Sequence, residues 1–207
     1  MRMKKNNITG LLLIVLVAAV SVIEFIQDAD ASSLNDQAGN IKQFTITSPP
    51  FDGALKYPFT KSGAMQCGHW RSGSQDYPWY GAPRDGNSRR HAGIDLYPVS
   101  GAGTPIKAIR DGKVIRVAPF YRRRNGEITY AVLVDHGEFV ANYAELVMPA
   151  LAVGEMVKQN QTMGVVSGTK QLHFELYLPG TENWSPWHGR KPQDLIDPTD
   201  MMLRVFR

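Results

Sequence analysis

Residues 170–177 read KQLHFELY, and the way this run is folded decides the rest of the chain. Gln171, His173 and Glu175 alternate with Leu172, Phe174 and Leu176, so an extended backbone puts three polar groups on one face and three apolar groups on the other. A solvent-facing edge strand has this pattern. So does the wall of a metal site.

Working outward, short β-branched runs punctuated by glycine fill residues 93–97, 105–109, 113–119, 128–136, 138–146, 162–167 and 171–178, joined by Asp-Gly, Asn-Gly and His-Gly turns. That spacing predicts an all-β domain, an antiparallel sandwich or barrel-like sheet. The tail PQDLIDPTDMMLRVFR supplies at most one short helix, with Met201 and Met202 as packing residues, and no internal repeat points to a solenoid.

Upstream of the strands, residues 63–90 are crowded with Gly, Ser, Pro and Asp around Trp70, Tyr77, Trp79 and Tyr80. Solvated linkers seldom carry so many rings, so an ordered loop is expected there, lining a groove or capping one end of the sheet. Residues 32–62, rich in Ser, Asn, Gln and Pro, read as a lead-in draped over the domain. In residues 1–31, Arg2, Lys4 and Lys5 precede an apolar run that falls just short of the roughly 18 residues of a spanning helix, and Ala29-Asp30-Ala31 offers small residues for a signal peptidase. The expected organisation is a signal peptide over 1–31, the lead-in 32–62, a domain over 63–190 with its core at 88–180, and a tail at 191–207. An uncleaved N-terminal anchor is the alternative to signal cleavage.

With 43% hydrophobic and 20% charged residues in 207, the chain has ordinary globular composition. Its net charge of +4 suits an anionic extracellular polymer, but no basic helix or set of stacking aromatics marks a nucleic-acid module. Cys67 is the only cysteine, so no intrachain disulfide forms, and the reading for it is a buried thiol.

The chemistry rests on histidines. His91 and Asp95 stand four apart in HAGID, with Gly93 between them leaving room for the backbone to bring both side chains to one point. A catalytic zinc site takes three protein donors at about 2.0–2.2 Å and leaves a fourth position open. His91, Asp95 and His173 meet that requirement if the fold joins them.

The ordered runs HAGIDLYPVSGAGTPIKAIRDGKVI, VLVDHGEFVANYAELV and VGEMVKQNQTMGVVSGTKQLHFELY resemble the lysostaphin/LytM-type zinc peptidases, which cleave peptides of peptidoglycan, across residues 88–180. The resemblance implies Zn2+ held by His91, Asp95 and His173. It also locates two departures. Where the family has H-L-H this chain has Gln171-Leu172-His173, and where the family has Y-A-H-L it has Tyr143-Ala144-Glu145-Leu146. Both catalytic-histidine positions are changed, while the metal positions are kept.

Glutamate can serve as the base of a zinc peptidase, as it does in HExxH enzymes, so Glu145 is a chemically sensible replacement. Gln171 cannot exchange protons at neutral pH, but its NH2 can donate to an oxyanion. Two readings follow: an exported peptidoglycan endopeptidase with Glu145 as base and Gln171 as oxyanion donor, or an inactive zinc-binding module that binds cell wall or regulates another wall hydrolase as a protein partner. His136 reads as a turn histidine bonded to backbone, with second place as base should Glu145 point away. Glu175 reads either as an acceptor behind His173 or as a solvated carboxylate. His69 and His188 are assigned no metal role, and Arg71, Arg89 and Arg90 are candidates for substrate carboxylates.

Overall fold

The computed structural model describes residues 46–57, 59 and 77–206. The segment read as a signal peptide, the first part of the lead-in, and the stretch bearing Cys67, His69, Trp70 and Arg71 lie outside the described residues. The strands are β1 (Pro83–Arg84), β2 (Arg89–Arg90), β3 (Ile94–Leu96), β4 (Pro105–Lys107), β5 (Gly112–Arg122), β6 (Ile128–Asp135), β7 (Val140–Leu146), β8 (Met156–Val157), β9 (Thr162–Val165), β10 (Leu172–Tyr177) and β11 (Leu195–Ile196), followed by one short helix, α1 (Thr199–Val205). The fold is all-β, as the spacing of the runs predicts.

Six strands run in the order β11-β10-β7-β6-β5-β8, β3 pairs with β10 off that path, and the pairs β1-β2 and β4-β9 form separate ribbons. Every pairing is antiparallel. The apolar layer includes Ile94, Phe139, Tyr143, Leu172 and Phe174, each at most 1% exposed, and each large side chain so buried contributes about 2–3 kcal/mol of transfer free energy. Residues 46–57 lie along this domain. Phe51 is fully buried with its ring 5.1 Å from that of Phe206, and Lys107 N–H donates to Pro50 O at 2.7 Å.

Two elements depart from the sequence reading. β5 extends through Pro119, whose missing N–H is accommodated by a register irregularity between Pro119 and Tyr121. β10 begins one residue late: Lys170 has φ +66° and Gln171 sits in a bend, so the alternation does not include Gln171.

The strand itself is not a solvent edge. His173 and Glu175 are 6% and 4% exposed, nearly as buried as the apolar face behind them. Gly93 makes the neighbouring approach of β3 feasible, since a Cβ there would lie 2.2 Å from Phe174 O. Among the described residues no helix is long and apolar enough to cross a membrane.

Candidate active site

β3 and β10 are registered so that Asp95 lies opposite His173. His91, on the turn just before β3, completes the cluster. His173 Nδ1 lies 3.0 Å from His91 Nε2 and 2.9 Å from Asp95 Oδ1, and His91 Nε2 lies 3.2 Å from the same Asp95 oxygen. All three side chains are buried. Ligand atoms of a tetrahedral site with bonds of about 2.0–2.2 Å stand roughly 3.3–3.6 Å apart, so the cluster accepts a divalent cation with small outward shifts.

The remaining atoms of these side chains are tied down. His91 Nδ1–H donates to Trp79 O at 3.0 Å, which leaves the Nε2 lone pair facing the cluster. His173 Nε2–H donates to Glu175 Oε1 at 2.9 Å, and Glu175 Oε2 accepts from Asn142 Nδ2 at 2.6 Å and from the Tyr177 hydroxyl at 2.9 Å. Glu175 is therefore the acceptor behind His173 and not a solvated carboxylate. Arg84 Nη2–H donates to Asp95 Oδ2 at 3.2 Å, and Asp95 N–H donates to Pro78 O at 2.9 Å.

The electrostatics of the cluster ask for positive charge. Burial alone would lower His173, but the Glu175 and Asp95 carboxylates lift it to about 10. Burial would raise Asp95, yet the two imidazoles hold it well below the usual carboxylate range. Burial pushes His91 down, so it keeps its lone pair. The proton on His173 Nδ1 thus sits where the His91 nitrogen and an Asp95 oxygen converge, and a cation fits the same donors with the same sign of charge.

Glu145 reaches the cleft by an irregularity of β7. Asn142 and Ala144 lie opposite Glu175 and His173 and share their face, while Tyr143 packs on Phe174 across the other face. Strict alternation would send Glu145 the way of Tyr143. Instead Tyr130 pairs with Leu146 and Ala131 with Ala144, so Glu145 is the extra residue of a β-bulge, and its φ is +68°. A bulge re-aims a side chain in this way. The left-handed backbone costs a non-glycine residue about 1–3 kcal/mol.

Glu145 is 6% exposed and lines the same cleft as His91, Asp95 and His173 without joining the cluster of metal-ligating atoms. Its Oε1 accepts from Gln171 Nε2 at 3.0 Å, while Oε2 is buried with no hydrogen-bond partner among the described residues. Burial and the charge of Asp95 push Glu145 up to about 7, in the range where a carboxylate can both take and return a proton at neutral pH.

The cleft has a volume of about 680 Å³, and Phe120, Tyr121 and Trp184 form an aromatic wall beside the cluster. Phe120 lies with its ring 5.2 Å from that of His173. Arg89 also lines the cleft, paired at 2.9 Å with Asp85, whereas His188 is exposed and 3.4 Å from Ser88 O. His136 is elsewhere. Its Nδ1–H donates to Asp111 O at 3.0 Å and its Nε2 accepts from the Tyr143 hydroxyl at 3.1 Å, so both nitrogens are occupied away from the cleft.

Sequence reasoning missed Arg84 and the work of the loop before it. That loop contributes the carbonyls of Pro78 and Trp79 and the guanidinium of Arg84 to the ligands, while Tyr77 and Trp79 stack on each other at 4.3 Å. Its backbone matters more to the site than its rings, and backbone carbonyls leave no mark in the residue types.

Fold and cluster together define an antiparallel β-domain with a buried His/Asp/His group that could hold a metal ion. Residues 89–186, just under half of the chain, match the model of Peptidase family M23, and this region is similar to the lysostaphin/LytM-type members of that family. The peptidoglycan DD-endopeptidase ShyC of Vibrio cholerae serotype O1 is 34% identical over 104 residues, covering 47% of this chain and 22% of the relative. The match thus spans under a quarter of that relative's length.

Among solved structures, a putative peptidase M23 from Pseudomonas aeruginosa is 22% identical with a TM-score of 0.43, covering 83% of this chain and 59% of that one. The catalytic domain of the antimicrobial peptidase lysostaphin from Staphylococcus simulans is 24% identical with a TM-score of 0.41, covering 58% and 85%.

Proposed function

We propose that this chain is an exported zinc metalloendopeptidase that hydrolyses peptide bonds in peptidoglycan stem peptides or cross-links. The observation that carries the reading is the Glu145 carboxylate: a bulged, left-handed residue lining the cleft that holds His91, Asp95 and His173, with one oxygen buried and unpartnered among the described residues. The match of residues 89–186 to the M23 family model and the name of the Vibrio relative support the reaction class. The apolar run and the Ala29-Asp30-Ala31 site support export.

When bound by the three ligands, zinc supplies a Lewis acid for the scissile carbonyl and acidifies a water. Glu145 takes the proton of the attacking water and returns it to the leaving amine. Gln171 has two amide hydrogens; one fixes Glu145 Oε1, and the second donates to the oxyanion that develops on the substrate. The wall of Phe120, Tyr121 and Trp184 holds an extended peptide against this pair.

A second reading, a zinc-bearing module that binds cell wall or a partner hydrolase without cleaving, draws on Gln171, which exchanges no proton where the family has histidine. Mass spectrometry of purified peptidoglycan, incubated with the zinc-loaded chain, decides between them. New peptide amine ends that are absent with Glu145→Ala and His173→Ala establish the peptidase. No new ends from a zinc-loaded chain that still sediments with the wall establish the binding module.

A further inference from the structure

Arg84 is 6% exposed and comes from β1, which the hairpin to β2 ties to the start of the ligand segment: Arg84 pairs with Arg89, and His91 N–H donates to Ala82 O at 2.8 Å. Its guanidinium is engaged at both ends, Nη1–H with Tyr77 O and Nη2–H with Asp95 Oδ2 at 3.2 Å. Asp95 thereby has its two oxygens assigned to different partners. Oδ1 faces both histidine nitrogens, and Oδ2 faces Arg84.

That division bears directly on the chemistry of the site. A free carboxylate can chelate a cation through both oxygens, and doing so here would take a position that a hydrolytic site leaves for water and substrate. A fixed guanidinium fork on the second oxygen prevents the rotation.

We infer that Arg84 is a positioning residue that holds Asp95 to ligation through one oxygen, so that the metal keeps open positions for the substrate carbonyl and water. The inference rests on the metal reading of the His91, Asp95 and His173 cluster given above. The planar fork carries the effect, since its two ends must reach Tyr77 O and Asp95 together. A lysine has the charge but no fork.

The test uses the full chain loaded with cobalt(II) in place of zinc, whose visible bands report the number of ligands, together with zinc titration of the same proteins. Arg84→Gln and Arg84→Lys, each checked for native circular dichroism, are compared with the parent. The expected result is weaker visible absorption in both variants, as Asp95 takes up a second coordination position, with zinc affinity lowered about 10- to 100-fold.

Should the glutamine variant fail to fold, the lysine variant alone decides, because it retains the buried charge. Parent-like bands and affinity in folded Arg84→Lys overturn the inference, because charge then suffices without the fork. A parent chain that binds neither cobalt nor zinc overturns the metal reading and this inference with it. Peptide cleavage is not among the readouts, so loss of the peptidase proposal alone leaves this result standing.

Discussion

In the His91, Asp95 and His173 cluster each side chain has both of its polar atoms engaged, whereas Glu145 in the same cleft keeps Oε2 buried with no partner among the described residues. The ligands sit on regular strand and turn geometry, while Glu145 stands on a bulge with φ +68°. Under the proposed function the contrast separates two tasks. A ligand must stay still, and saturated hydrogen bonding keeps it so. A proton carrier must meet water and leaving group in turn, which requires an oxygen that the protein has left free.

The comparison breaks most visibly at Glu145. Glu145→Gln keeps the shape and the contact to Gln171 while removing the proton carrier, so cleavage of peptidoglycan falls about 10²- to 10⁴-fold with zinc stoichiometry unchanged. Loss of zinc in this variant would mean that the two halves of the cleft are not separate.

The ligand half breaks at Gly93. A Cβ there would lie 2.2 Å from Phe174 O, so Gly93→Ala forces β3 away from β10. Overpacking against backbone costs about 3 kcal/mol. Lowered melting temperature and lost metal binding should appear together. A stable variant that loses only metal would show that β3 moves independently of the sheet.

His136 sharpens the contrast by standing outside both halves. Burial, together with the nearby Arg110 charge, lowers it to about 4, against weaker opposing contributions from the Asp111 carbonyl and the Asp135 charge, with the neutral Tyr143 hydroxyl completing its surroundings. The unfolded chain binds this proton near pH 6.5 and the folded one only near pH 4, so stability is lost as pH falls between those values, by about 3 kcal/mol in all. Urea titrations at pH 7 and pH 4 should show that acid loss shrinking by this amount in His136→Gln. An unchanged slope would refute the neutral assignment.

The smallest effect belongs to Gln171. Gln171→Met removes the bond to Glu145 Oε1, and a hydrogen bond to a charged group contributes about 1.5–3 kcal/mol. Turnover should drop on the order of 10- to 100-fold with KM little changed. A drop as large as that of Glu145→Gln would give Gln171 a more direct part in the reaction.

The meeting of His91, Asp95 and His173 is legible in the sequence because HAGID and QLHFELY carry both residue type and period, and antiparallel pairing of two such strands places Asp95 against His173. The strand runs around them are legible for the same reason. Glu145 is found by its position in the resemblance, but not its geometry. Residue alternation would point it into the apolar layer, and the bulge that turns it is a property of pairing with β6. Arg84 stays hidden because it is one arginine among several in a loop whose decisive groups are carbonyls.

The bulge at Glu145 makes the site depend on parity. One more residue on β7 than on β6 separates Ala144 from Leu146, and that surplus sets which side of the sheet receives the carboxylate. Without that surplus an even ladder would carry Glu145 to the side of Tyr143, away from His91, Asp95 and His173, so the position of the carboxylate rests on a count of residues as much as on their chemistry.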